Sequence, residues 1–182
     1  MASELASNSS EPKTGRPPKR RSFASLLPII LPVAAVVVAL DRWSKGLAES
    51  ELTKAPGQSV DVVDSLLRFS LIHNTGAAFN VLRDSSVLYV VIAAVVVIVS
   101  VGYYRYLPRD NYLLTVCLGM QLGGAIGNLI DRFQHVYVVD FIDVGFGDVR
   151  WPSFNVADSS IVVGIIVLAG YLMLHPDTER NG

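Results

Sequence analysis

The sequence predicts an all-α membrane protein: four transmembrane helices carrying a small extracytoplasmic β-rich lobe. Three observations lead there. Of 182 residues, 51% are apolar and only 17% are charged, against roughly 25% charged in an ordinary soluble domain. The apolar residues collect in four blocks, 26–40, 87–106, 113–130 and 156–174, each near the length of ~20 residues that a membrane crossing takes. The first reaches that length only if its helix runs on through DRWSK. Between the blocks, β-branched and aromatic residues gather in two segments, as strands require.

Taken in order, residues 1–24 hold Lys13, Arg16, Lys19, Arg20 and Arg21 among Ser, Pro and Gly. They read as a disordered basic tail with little to bury. Basic residues beside a first span place the N-terminus in the cytoplasm, and four crossings return the C-terminal tail, 175–182, to the same side. The tail and LLPIILPVAAVVVAL together look like a secretory signal, but no small-x-small site closes them, so an uncleaved span is expected. The spans are expected at about 26–45, 87–106, 113–132 and 155–174, in one unit covering 25–174 with outer loops 47–86 and 133–154.

In the first outer loop SVDVVDSLLRFSLIHN supplies Val60, Val62, Val63, Phe69 and Leu71 to a small sheet resting on the membrane. YLPRDN at 106–111 is a polar inner turn. The second outer loop reads as a strand, VYVVDFIDV, then GFGD turn chemistry, and its Tyr137, Phe141, Phe146 and Trp151 suit the headgroup zone. In the third span Gly119, Gly123 and Gly127 recur at spacing four with Gly124 and Asn128 alongside, a face that lets another helix come close. Asn128, Asp131 and Arg132 share one helical face, where Asp131 and Arg132 suggest an internal ion pair. Asp41 and Lys45 are spaced i, i+4 and predict a salt-bridged face on the first span.

A net charge of −1 implies no attraction to nucleic acid. The single cysteine, Cys117, excludes an internal disulfide and reads as an apolar filler. His73, His135 and His175 are scattered with no zinc-type spacing, so neither a metal nor a cofactor is expected. Ser159 and Ser160 have no base placed for them, which argues against a serine nucleophile.

Two aspartates remain, Asp140 in VYVVDF and Asp158 in FNVADSS. Carboxylates on the flanks of apolar runs are costly, about 2.5–3.5 kcal/mol at a helix centre, and usually do something. Two close carboxyls sharing one proton can hydrolyse an amide, one taking a proton from water while the other, protonated, polarises the carbonyl. The start of the fourth helix suits Asp158 as base, and the apolar VVDF setting suits Asp140 as acid. Asp158 also fits a plain capping box with Asn155. Asp143 is the rival of Asp140, and in a strand the two face opposite ways.

DRWSK at 41–45, HNTGAAFN at 73–80, GGAIGNLIDR at 123–132, VVDF at 138–141 and FNVADSS at 154–160 resemble, in order and wording, the bacterial lipoprotein signal peptidases (signal peptidase II). The resemblance covers residues 26–174. It implies an intramembrane aspartic endopeptidase that cleaves diacylglyceryl-modified prolipoproteins before the lipidated cysteine. It places the catalytic pair on Asp140 and Asp158, and supporting roles on Asn74, Gly124, Asn128, Asp131, Arg132, Asn155, Ala157, Asp41 and Lys45. The implied partners are lipidated substrate and membrane lipid, and the implied location is the bacterial inner membrane with the site near its outer face. A monomer is expected. The rival class is a small proton-coupled transporter using the same carboxylates, against which the lack of an internal repeat weighs.

Overall fold

The computed structural model describes residues 23–64, 66–75, 95, 98, 102, 111–135, 137–147 and 149–175. Three long helices organise these residues: α1 (Leu27–Leu52), α2 (Tyr112–His135) and α3 (Val156–Leu174). Together with the turn before α1, each is long and apolar enough to cross a membrane. The span expected at 87–106 lies outside the described residues, except that Val95, Ile98 and Gly102 are helical. The tails 1–22 and 176–182 also lie outside them.

Helix α1 opens with Pro28 in its first turn, where a missing N–H costs nothing. It runs past the expected end at residue 45 to Leu52, because AESEL is rich in helix formers and Ala48 and Leu52 find apolar partners. The outer loop therefore begins two turns later than expected.

The lobe is a four-stranded antiparallel sheet in the order β1 (Ser59–Val63), β2 (Leu67–Asn74), β3 (Val138–Phe146), β4 (Val149–Arg150). Strands from both outer segments thus form one sheet. The β3–β4 reversal rests on Gly147, at φ 58°, a left-handed conformation that glycine adopts without strain.

Among the described residues, two apolar clusters hold the ends of the helix bundle. Leu26, Ile30, Leu114 and Leu118 pack with Leu122, Leu168, Tyr171 and Leu172 at the end away from the sheet. Ala48, Leu52 and Phe141 pack with Leu71, Ile142 and Val156 where helices meet sheet. Phe141 is accordingly buried and does not belong to the headgroup zone predicted for it, whereas Phe146 and Trp151 are exposed as expected. Tyr137 is half-buried, its ring against those of His73 and His135.

Helix α2 is the central one, and its glycines serve two partners, not the single face read from the sequence. A Cβ on Gly123 would lie 2.7 Å from the Ala34 carbonyl oxygen of α1, and Gly119 and Gly127 face the same helix. Gly124 abuts the Ala157 backbone of α3, and Gly164 of α3 returns the approach against α2. Gly124→Val puts a branched side chain into the Ala157 carbonyl, and the backbone cannot yield. We expect a loss of about 2–3 kcal/mol or outright misfolding, read as a drop in thermal midpoint in detergent, while Gly46→Ala, in open space within α1, does not lower it.

Candidate active site

Between the two apolar clusters the three helices enclose a polar layer. From α1 come Asp41, wholly buried, and Lys45, 1% exposed. A buried ammonium is tolerable only among anions, and Lys45 Nζ lies 2.7 Å from Asp41 Oδ2 and 2.8 Å from Asp131 Oδ2 of α2. Arg42 completes the balance of two acids and two bases by pairing with Asp131, and its other nitrogen donates to Gln134 at 2.9 Å. The i, i+4 pair expected on α1 is therefore present. The pairs that Asp131 forms cross to α1, and Arg132, its expected partner, donates to the Asn128 carbonyl at 3.1 Å.

The acids also bind backbone. Asp41 Oδ1 accepts from the Ala157 N–H at 3.0 Å, and Asp131 Oδ2 accepts from the Val139 N–H at 3.1 Å. One carboxylate thus holds the first turn of α3 and the other the start of β3. Gly127 allows this, since a Cβ there would stand 2.7 Å from Asp41 Oδ2. Gly124 and the fully buried Ala157 bring α2 and α3 together at this level.

Asp140 lies on β3, 2% exposed. The β2–β3 register sets Ile72 opposite it, so Asn74, two residues further on, is its diagonal neighbour on the same face. Asn74 Nδ2 donates to Asp140 Oδ2 at 2.7 Å, and Asn155 Nδ2 donates to Oδ1 at 2.7 Å. Burial, with the charge of Asp158 as a secondary cause, pushes the Asp140 carboxyl up to about 7, in spite of these donors and the positive charge of Lys45.

Asp158 sits in the first turn of α3 in a full capping box. Its N–H donates to Asn155 Oδ1 at 2.9 Å, and the Asn155 N–H returns to Asp158 Oδ2 at 3.3 Å. The capping reading of this aspartate is correct, and it is not the whole of its environment: Asn128 Nδ2 donates to Asp158 Oδ1 at 2.7 Å. Asn155, wholly buried, is thus bound to both aspartates, by side chain to Asp140 and by side chain and backbone to Asp158.

The rival acid, Asp143, is engaged elsewhere. Arg150 Nε donates to its Oδ1 at 2.9 Å and Arg150 Nη2 to its carbonyl at 2.8 Å, and Arg68 is its cross-strand partner. His73 and His135, far apart in sequence, meet on Tyr137, with ring centroids 4.3 and 5.4 Å away. Gly76, Ala77 and Ala78, which follow Asn74, lie outside the described residues.

Sequence reasoning missed Arg42. Its spacing of three from Lys45 puts both cations on one face of α1, a signal that was available. Chemically, beside the ion-paired Asp41 and Asp131 the layer holds two further carboxyl groups from different elements, Asp140 and Asp158, each oxygen receiving an N–H donor and the two linked by one asparagine. One of the pair has a proton affinity matched to neutral pH. Such a pair can exchange protons with water.

The profile of the family described as Signal peptidase (SPase) II matches residues 33–174. The lipoprotein signal peptidase of Moorella thermoacetica is 40% identical over 148 residues, covering 81% of this chain and 94% of that relative. That of Caldanaerobacter subterraneus subsp. tengcongensis is 46% identical over 143 residues, covering 78% and 93%. Among solved structures, a bacterial membrane enzyme determined by the in meso method superposes with a TM-score of 0.67 at 30% identity, covering 86% of this chain and 93% of that one.

Proposed function

The chain belongs to the signal peptidase II family, and on that premise we propose that it is an aspartic endopeptidase that removes signal peptides from diacylglyceryl-modified prolipoproteins, cutting before the lipidated cysteine. The observation that carries this reading is the joint binding of Asp140 and Asp158 by the buried Asn155, in a polar layer that also holds Asn74 and Asn128. We place the enzyme in the bacterial inner membrane as a monomer with a fourth span at about 87–106, both termini cytoplasmic and the site near the outer face.

In this mechanism the pair starts with one proton. Asp158, as base, takes a proton from a water molecule as its oxygen attacks the scissile carbonyl. Asp140, protonated, donates to the developing oxyanion. As the tetrahedral adduct collapses, the proton taken by Asp158 passes to the leaving amine and Asp140 takes a proton back from the adduct's hydroxyl, so the C–N bond breaks and the carboxyls end as they began. The proton belongs to the pair, and the roles describe one microstate. Asn74 is placed to help align the substrate backbone beside Asp140. The diacylglyceryl group would remain in the bilayer, which accounts for a site at the edge of the spans.

The proposal is tested with purified protein and a lipidated prolipoprotein, its unlipidated counterpart serving as control. Cleavage of the lipidated form alone is the expected result. A proton flux across vesicles without proteolysis would favour the transporter reading. The pH dependence follows from Asp140. Its carboxyl, raised from the ordinary range to about 7, is protonated below that value and supplies the shared proton; above it both acids are anions and no acid remains. Cleavage therefore falls on the alkaline side with a midpoint near the value of the pair, measured as kcat/KM against pH.

A further inference from the structure

We propose that Lys45 is a positioning residue of the active site, whose ammonium orients the amide of Asn128, and through it that of Asn155, so that both present N–H donors to the aspartate pair. The proposal rests on the peptidase reading above and assigns a role to a residue that reaches the acids through the amides of Asn128 and Asn155.

The argument is one of hydrogen-bond direction. An ammonium has three donors and no acceptor, and the Lys45 ammonium is placed among three acceptors: Asp41 Oδ2, Asp131 Oδ2 and, at 3.2 Å, Asn128 Oδ1. The Asn128 amide must therefore turn its oxygen toward the lysine, which aims its NH2 at Asp158 Oδ1, 2.7 Å away. The opposite orientation would set donor against donor at Lys45 and acceptor against acceptor at Asp158. The same Asn128 oxygen accepts from Asn155 Nδ2 at 3.1 Å, and that nitrogen also donates to Asp140 Oδ1 at 2.7 Å. A second anchor at the far end, the Asp158 N–H on Asn155 Oδ1 at 2.9 Å, agrees in direction.

The chain of amides is thus polarised one way, from a fixed cation to two carboxyls. The links from Lys45 to Asn128, from Asn155 to Asn128 and from Asn155 to Asp140 are buried and those at Asp158 are part-buried, surroundings in which such directional bonds strengthen one another. Among the described residues, the other charged groups around the layer are Asp41 and Arg42 on α1, Asp131 and Arg132 on α2, Asp140 on β3 and Asp158 on α3. Asp41 and Asp131 are held by Lys45 and Arg42. The positive charge of Lys45 also lowers the proton affinity of Asp140 directly.

Lys45→Met alone leaves two buried carboxylates short of a cation and is expected to unfold the chain. The informative variant is Lys45→Met with Asp41→Asn, which removes one charge of each sign and leaves Asp131 to Arg42. We expect it to fold, to cleave lipidated prolipoprotein about ten-fold or more slowly, and to show the Asp140 carboxyl, followed by infrared titration, protonating at higher pH than in the unaltered chain. Asn128→Asp, near-isosteric, keeps an acceptor for the lysine but offers Asp158 no donor, and should lose about a hundred-fold in cleavage. A lowered thermal midpoint with an unmoved titration and an unmoved pH–rate profile would make Lys45 structural only and overturn the proposal, as would a folded Asn128→Asp chain of full activity. Retained cleavage by Asp140→Asn would remove the peptidase dyad instead, and the infrared titration of the chain carrying Asp140 would still decide the role of Lys45.

Discussion

Asp140→Asn and Asp158→Asn are each expected to reduce cleavage of lipidated prolipoprotein by about a thousand-fold or more, with thermal midpoints close to that of the unaltered chain. A positioned acid or base contributes roughly 10²–10⁴ in rate, and here each substitution disables both members, because a single carboxyl cannot give and take the same proton. Stability is expected to hold for a specific reason. Asn at 158 retains an oxygen to accept from the Asn155 N–H, so the capping box survives in part. Asn at 140 retains an oxygen for one of the two amides that now meet there, and it relieves the burial of a carboxyl that can ionise near neutral pH. Asp143→Ala is the control. It loses its bond to Arg150 on the lobe, outside the amide network, so its cleavage rate stays within a few-fold of normal. Full activity in either dyad variant, folded and inserted, would end the mechanism. An inactive Asp143 variant beside an active Asp140 variant would transfer the acid role to Asp143.

How far sequence reached can be followed residue by residue. The three spans of α1, α2 and α3 were legible because apolar runs of fixed length leave a composition signal that needs no partner. The Asp41–Lys45 pair was legible because i, i+4 spacing is local, and the pair is present at 2.7 Å. The Asn155–Asp158 box was legible for the same reason. Partner choice across elements was not. Asp131 looked satisfied by its neighbour Arg132, yet its ion pairs run to Arg42 and Lys45, since successive residues on a helix diverge by about 100° while facing helices converge. Phe141 looked like an interfacial aromatic until the longer α1 supplied Ala48 and Leu52 to cover it. The glycines of α2 signalled close approach but could not say that Gly123 meets α1 while Gly124, one step round the helix, meets α3.

The same division explains why so many substitutions in this layer should couple. Asp41 and Asp131 spend one oxygen each on backbone N–H groups of Ala157 and Val139, next to Asp158 and Asp140 in sequence. The ion cluster therefore fixes the backbone that carries Asp140 and Asp158, the acids proposed for the reaction. The ions and the acids cannot be treated as separate stability and activity sets.

Asn155→Ala should be the most damaging single change outside the acids among the described residues, because Asn155 binds Asn128, the Val139 carbonyl and both aspartates. Its side chain caps α3, and losing an N-cap alone costs about 1 kcal/mol. It also leaves Asn128 Oδ1, Asp140 Oδ1 and the Val139 carbonyl without its donor in a buried layer, and each such loss costs about 1–3 kcal/mol where no other partner can replace it. We expect a total of about 2–4 kcal/mol, seen as a lowered thermal midpoint, together with a loss in kcat of at least a hundred-fold at temperatures where the variant is still folded. Asn155→Asp separates the two effects. An aspartate caps α3 as well as asparagine does, so stability recovers in part. It brings a third carboxyl beside Asp140 and Asp158 and offers no N–H, so activity does not recover. If Asn155→Asp were as active as the unaltered chain, the amide donor to Asp140 would be dispensable, and the joint binding of the two aspartates would be a consequence of helix capping alone.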